Sequence, residues 1–227
     1  MKTPIIVALD VSTTGEALGL VEQLGDSVSH CKVGMELYAA GGPGFVKELV
    51  AGGKKVFLDM KFYDIPETVR RATAQVAGMG VDLLTIHGSA AVMRAAVEAK
   101  KGSGLRLLAV TVLTSFDRQD LADLGYPCEV SELVSLRVNK AGECGVDGIV
   151  CSPLEVRGVR QIAGPESILV TPGVRSARAA KGDQKRVATP AEAIRDGANY
   201  IVIGREITRA ADPRAEAQRI LGELQAS

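Results

Sequence analysis

Lys55-Val56-Phe57-Leu58-Asp59-Met60-Lys61-Phe62-Tyr63-Asp64-Ile65-Pro66 is the stretch whose pattern decides the fold. Side chains of an extended chain point to opposite faces in turn. Phe57, Asp59 and Lys61 therefore share one face, and Val56, Leu58 and Met60 share the other. If the Val/Leu/Met face packs on helices, Asp59 and Lys61 point into the mouth of a barrel. Pro66 follows at a position suited to the first turn of a helix. The amphipathic run over residues 66–79 then completes one strand-then-helix unit.

The same unit recurs in both directions from there. Strands are predicted over residues 5–10, 30–34, 55–61, 83–87, 106–111, 148–151, 168–171 and 200–204. Each is a short apolar run, often β-branched, with a polar residue or glycine at its end. Between them lie helical patterns. Residues 14–24 put Ala17, Leu18, Val21 and Leu24 on one face. Residues 129–144 carry Val130, Leu133, Val134, Leu136, Val138 and Ala141 at mixed helical spacing. Strands alternating with helices predict a parallel sheet, and repeats of about 20–30 residues suit right-handed crossovers. A closed (β/α)8 barrel of the TIM type is the economical α/β solution, with a doubly wound open sheet as the alternative. No linker, low-complexity tract or composition shift interrupts the chain, so residues 1–227 read as a single domain.

Composition narrows the partners. Hydrophobic residues make up 46% and aromatics 4%, and Trp is absent, so the core must be built mainly from Val, Ile, Leu and Ala. The 27 basic and 27 acidic residues cancel. A nucleic-acid binder would show a basic stripe, so no nucleic-acid partner is expected. Cys31, Cys128, Cys144 and Cys151 contain no Cys-x-x-Cys pair and read as reduced thiols. Met1-Lys2-Thr3-Pro4 leads straight into a strand, and no apolar run is long enough to span a bilayer. The expectation is a cytoplasmic protein with no membrane partner.

In a barrel of this kind, active groups come from the C-terminal ends of the strands. Asp10, Lys32, Asp59 and Lys61 all fall there. Asp10 alone could be a helix cap or a surface residue. As a set these charges point to a functional site, because buried charges are costly unless paired. Lysine is a natural proton donor, and flanking aspartates keep it charged. Exclusion of water would strengthen their effect on developing charge. Asp64 follows in the next loop. With lysines standing among the carboxylates, and no HExxH or Cys/His cluster, no metal is expected.

A second cluster lies late in the chain. Thr171-Pro172-Gly173-Val174-Arg175 ends the seventh strand, and a polar stretch over 176–186 follows, long enough for a lid or binding loop. Ile203-Gly204-Arg205 ends the eighth strand, and Glu206-Ile207-Thr208 opens a helical turn. Loops after the last two strands form the usual phosphate site of the fold. Gly204 would let backbone N–H groups approach, and Arg175 and Arg205 would pair with phosphate oxygens. Thr114 or Ser115 could donate to a substrate carbonyl or cap the next helix. His87 reads as a hydrogen-bonded structural residue, and His30 starts its strand at the wrong end for catalysis.

Asp59-Met60-Lys61-Phe62-Tyr63-Asp64-Ile65-Pro66-Glu67-Thr68-Val69 resembles the Asp-x-Lys-x-x-Asp-Ile-Pro-x-Thr signature of the orotidine 5′-monophosphate decarboxylase family. The resemblance runs through the whole chain. Ala8-Leu9-Asp10, Lys32-Val33-Gly34, Thr111-Val112-Leu113-Thr114-Ser115, Thr171-Pro172-Gly173-Val174-Arg175, Asp183-Gln184-Lys185-Arg186 and Gly204-Arg205 follow in the family's order. It implies decarboxylation of orotidine 5′-monophosphate to UMP, the last step of de novo pyrimidine synthesis, without metal or organic cofactor. Lys61 would protonate C6 as carbon dioxide leaves, with Asp59 beside the departing carboxylate. Lys32 and Asp64 would complete the charge network, with Asp64 and Thr68 reaching the neighbouring site of a homodimer. Asp10 and Lys32 would contact the ribose. Thr114 and Gln184 would contact the base, or the base and phosphate together. Arg175, Gly204 and Arg205 would hold the phosphate under a closing loop. Tyr63 and Glu67 stand where the family often has His and Asn.

Two other readings stay in view. The Mg²⁺-dependent 3-keto-L-gulonate 6-phosphate decarboxylases and hexulose-6-phosphate synthases share the Asp-x-Lys-x-x-Asp core. They place an acidic ligand where this chain has Lys32, and the Gln184 segment also argues against them. A non-catalytic nucleotide-binding barrel would not require Asp59 and Lys61 together.

Overall fold

Alternation along each strand decides what its two faces meet. The computed structural model describes residues 3–176 and 188–225. Its strands are β1 Ile5–Ala8, β2 His30–Gly34, β3 Lys55–Phe62, β4 Leu83–Ile86, β5 Arg106–Val110, β6 Gly148–Val150, β7 Ile168–Thr171 and β8 Tyr200–Ile203. All pair in parallel in chain order, and β8 pairs back onto β1, so the sheet closes. The open doubly wound alternative is thereby excluded. Ile6, Ala8, Phe57, Leu83, Leu108, Val170, Tyr200 and Val202 fill the barrel interior. Their strand neighbours, such as Val7, Cys31, Val33, Val56, Leu58 and Leu84, pack outward under the helices. Burial on both faces is why the strands read as nearly unbroken apolar runs.

The helices are α1 Thr14–Leu24, α2 Met35–Ala51, α3 Pro66–Ala77, α4 Ala90–Ala99, α5 Arg118–Asp123, α6 Val130–Glu143, α7 Val156–Ala163, α8 Pro190–Arg195, α9 Arg205–Thr208 and α10 Pro213–Gln225. Their boundaries have local causes. Thr13 caps α1 by accepting from the Glu16 N–H, and Pro66 opens α3. Glu129 and Glu132 form a reciprocal cap on α6. The buried stripe of α6 is Leu133, Val134, Val138 and Ala141, whereas Leu136 is 60% exposed.

Most strands stop a residue or two before their predicted ends. Asp10, His87, Thr111, Cys151 and Gly204 stand just past the last paired residues, where the loops of the mouth begin. β3 instead continues one residue further, to Phe62.

The opposite end of the barrel is closed by charge. His30 is fully buried, with Nε2 3.3 Å from Asp82 Oδ2, and Arg106 pairs with the same carboxylate. Burial opposes the charge on Asp82, but the adjacent His30 imidazole and Arg106 guanidinium hold its carboxyl below the ordinary range. All four cysteines are free thiols. Among the described residues, no helix is long and apolar enough to cross a membrane.

Candidate active site

The mouth of the barrel opens into a cavity of about 900 Å³. Asp10, Lys32, Asp59, Lys61, Thr114, Ser115, Arg175, Gly204 and Arg205 all line it. Nine of the expected site residues and alternatives are thus brought together by six different strands and the loops that follow them.

The charges form a chain. Lys32 Nζ donates to Asp10 Oδ1 at 2.7 Å and lies 3.8 Å from Asp59 Oδ2. Lys61 Nζ donates to Asp59 Oδ1 at 2.9 Å. Side-chain exposure runs from 11% for Lys32 through 17% for Asp59 to 32% for Lys61. The Lys32–Asp59 and Lys61–Asp59 pairs are therefore only partly screened, whereas Asp10 is 58% exposed, and removing Lys32 or Lys61 would leave the Asp59 charge less compensated in a poorly hydrated place. Gly34 makes room beside them: a Cβ there would stand 3.2 Å from Lys32 Nζ.

The backbone under Lys61 is irregular. The β3–β4 register shifts between Leu58 and Phe62, and Lys61 takes φ 48°. It is the only non-glycine residue with positive φ among those described. Such a conformation costs free energy and persists where its surroundings enforce it. Thr85, fully buried on β4, accepts from the Lys61 N–H at 2.9 Å and donates to Asp59 Oδ1 at 3.0 Å. Sequence reasoning missed it. The available signal was a hydroxyl two residues after Leu83, hence on the same inward face of an otherwise apolar strand.

Around the loops after β7 and β8, Val174 bridges to Ala188, and the Arg175 N–H donates to Ala188 O at 3.1 Å. Glu206, another cavity residue, accepts from the Ser176 N–H at 3.1 Å and from its hydroxyl. Arg219 of α10 holds the same carboxylate at 3.1 Å. Glu206 thus ties the loop after β7 to the last helix, a long-range pairing with no sequence signature.

Asp64 and Thr68 do not join this cavity. Both are exposed, and Asp64 Oδ1 accepts from the Ile65 N–H at 2.6 Å. Gln184 lies outside the described residues, as does nearly all of the 176–186 stretch. Tyr63 stacks at a tilt on His87, with ring centroids 5.7 Å apart. His87 is partly buried, and its Nδ1 has no hydrogen-bond partner among the described residues. The expected hydrogen-bonded histidine is instead a packed ring. Burial, then the nearby Arg137 and Lys61 charges, push its pKa down and favour the neutral form. Glu67 is held by Arg70 and Arg71, which bring its carboxyl down to about 2. Among the described residues, no three His, Cys, Asp or Glu side chains gather as a metal site.

Comparison with known proteins gives a consistent answer. A model of the "Orotidine 5'-phosphate decarboxylase / HUMPS family" matches residues 3–220. The orotidine 5′-phosphate decarboxylase of Methylobacterium nodulans is 53% identical over 226 residues, covering 98% of this chain and 96% of that protein. The enzyme of that name from a Caulobacter species is 50% identical over 220 residues, covering 97% and 96%. The crystal structure of orotidine 5′-phosphate decarboxylase from Lactobacillus acidophilus superposes with a TM-score of 0.85 at 35% identity, covering 98% of this chain and 99% of that one.

Proposed function

The chain belongs to the orotidine 5′-phosphate decarboxylase / HUMPS family, and from that premise we propose how its mouth residues perform the reaction. It is a carboxy-lyase that converts orotidine 5′-monophosphate to UMP and carbon dioxide. The bond between C6 of the pyrimidine and its carboxylate breaks, and the electron pair stays on C6. Lys61 Nζ stabilises that charge and delivers a proton to C6; the neutral amine regains its proton from water. Asp59 lies beside the departing carboxylate and keeps Lys61 charged until transfer. Enzymes lower barriers by about 8–23 kcal/mol. An sp² carbanion with poor resonance stabilisation demands the upper part of that range, so fixed charges in a dry site must supply much of it.

Asp10 and Lys32 contact the ribose, and Thr114 contacts the base together with Gln184. Arg175, Arg205 and the backbone at Gly204 hold the phosphate. Binding energy from that remote group offsets the cost of ordering and drying the site.

The observation that carries this reading is the unbroken Asp10–Lys32–Asp59–Lys61 chain inside the cavity. It also favours chemistry without a metal. The Lys32 ammonium, 2.7 Å from Asp10 and 3.8 Å from Asp59, already fills the space between carboxylates that a divalent cation would need. The Mg²⁺-dependent sugar-phosphate branch of the family is disfavoured on the same ground. We further propose a homodimer in which Asp64 and Thr68 complete the partner's site. Both are exposed on a loop and helix that also present Tyr63 and Ile65, each 69% exposed, and such apolar exposure suits an interface.

The test is direct. EDTA-treated protein is mixed with orotidine 5′-monophosphate and the ultraviolet change is followed. Turnover is expected; no turnover, or turnover only after Mg²⁺ is added, overturns the reading. Lys61→Ala is expected to bind UMP and lose turnover, and near-normal turnover would refute its role as proton donor.

A further inference from the structure

The geometry points to Thr85 as a positioning residue for the decarboxylation: its single hydroxyl fixes both the carboxylate of Asp59 and the strained backbone of Lys61. The inference rests on the reading of Lys61 as proton donor.

Asp59 and Lys61 must keep one relative geometry while the substrate's charge moves past them. Their own contact, Lys61 Nζ to Asp59 Oδ1 at 2.9 Å, joins two flexible side chains of one strand. It cannot set where the pair points. Two features could misplace it. One is rotation of the Asp59 carboxylate. The other is the backbone at Lys61, where the β3–β4 ladder slips and φ is 48°. A β-branched neighbour on the adjacent strand meets both.

Thr85 is fully buried on β4, next to β3. Its Oγ1 donates its one proton to Asp59 Oδ1 at 3.0 Å. The same oxygen accepts the Lys61 N–H at 2.9 Å. The irregular ladder leaves that N–H without its regular strand partner, and a buried orphan donor is costly. Asp59 Oδ1 is therefore the meeting point of two donors, the Thr85 hydroxyl and the Lys61 ammonium. Because χ1 of threonine is stiff, the hydroxyl has little freedom to follow a displaced partner. Serine preserves both hydrogen bonds on a looser side chain. Valine keeps the shape and removes both.

The inference predicts a kinetic split. Thr85→Val should lower kcat by tenfold to on the order of a hundredfold, since a 1 Å misplacement can cost about that much. KM for orotidine 5′-monophosphate and affinity for UMP should stay near wild type, because the phosphate and ribose contacts come from other strands. Thr85→Ser should restore most of the lost turnover. A purely structural hydroxyl would show a lower melting temperature with unchanged kcat per folded molecule.

Wild type and Lys61→Ala are measured alongside. An inactive wild type, or an active Lys61→Ala, defeats the underlying reading. With those controls as expected, a Thr85→Val enzyme of wild-type kcat defeats the role of Thr85 alone. If Thr85→Val does not fold, the comparison of Thr85→Ala with Thr85→Ser decides. Equal kcat in that pair overturns the inference, and a tenfold or larger advantage for Ser supports it.

Discussion

Lys61 and Arg205 line one cavity but act on different ends of the proposed substrate, and their loss should be distinguishable. In the proposed mechanism Lys61 would make an interaction that matters only as charge develops on C6, so its removal should fall on kcat. Arg205 would hold a phosphate whose charge does not change during the reaction. A hydrogen bond between charged groups contributes about 1.5–3 kcal/mol. Arg205→Ala should therefore lower kcat/KM for orotidine 5′-monophosphate by about tenfold to a hundredfold at 1.4 kcal/mol per decade. Affinity for uridine, which lacks the phosphate, should be unchanged. Steady-state kinetics and a uridine titration check both halves. An equal loss of uridine binding would show that Arg205 shapes the cavity rather than gripping phosphate.

At the scale of elements, β2 shows how one strand serves two compartments. His30 and Lys32 face into the barrel, while Cys31 and Val33 pack under the helices. Cys31 is fully buried, and desolvation pushes its thiol from 9.0 up to about 11, with Lys54 acting weakly the other way. The folded pKa is raised, so the associated stability is complete below pH 9 and is lost as pH rises toward 11. The loss amounts to about 2–3 kcal/mol at 1.36 kcal/mol per unit. Denaturation midpoints measured from pH 8 to 11 should fall more steeply in wild type than in Cys31→Ala, whatever constant offset the smaller side chain adds. Parallel curves would reject a buried thiol as the source. The same alternation made the elements legible. A strand buried on both faces announces itself as an apolar run, and a charge within it marks the mouth, which is how Asp59, Lys61 and Lys32 were found. Thr85 was not found because a threonine is ordinary in a strand. Its importance comes from the slipped register opposite it, and a register irregularity leaves no trace in composition. Glu206 escaped for a related reason: its partners Ser176 and Arg219 come from separate elements after β7 and β8, and only folding brings them together.

The whole molecule leaves one part of the proposed charge network outside its own cavity. Asp10, Lys32, Asp59 and Lys61 converge within one chain, but Asp64 and Thr68 face solvent. Fold closure explains why: all eight strands are already paired. A residue that leaves the barrel on the loop before α3 can then reach a site most simply by crossing to another copy. A two-fold interface is self-complementary, so each subunit would both give and receive the pair. That geometry predicts complementation. Lys61→Ala and Asp64→Asn should each be nearly inactive alone. In a hybrid of the two, one site draws Lys61 from the Asp64→Asn subunit and Asp64 from the Lys61→Ala subunit, and is whole. The other site lacks both. Random reassortment of an equal mixture makes half the dimers hybrids with one working site, so activity should recover to about a quarter of wild type. Unfolding and refolding the mixture together, followed by sizing and assay, gives the measurement. A mixture that sizes as a dimer yet stays at the average of its parents would confine each site to one chain. A monomer with full activity would remove the partner from the mechanism altogether.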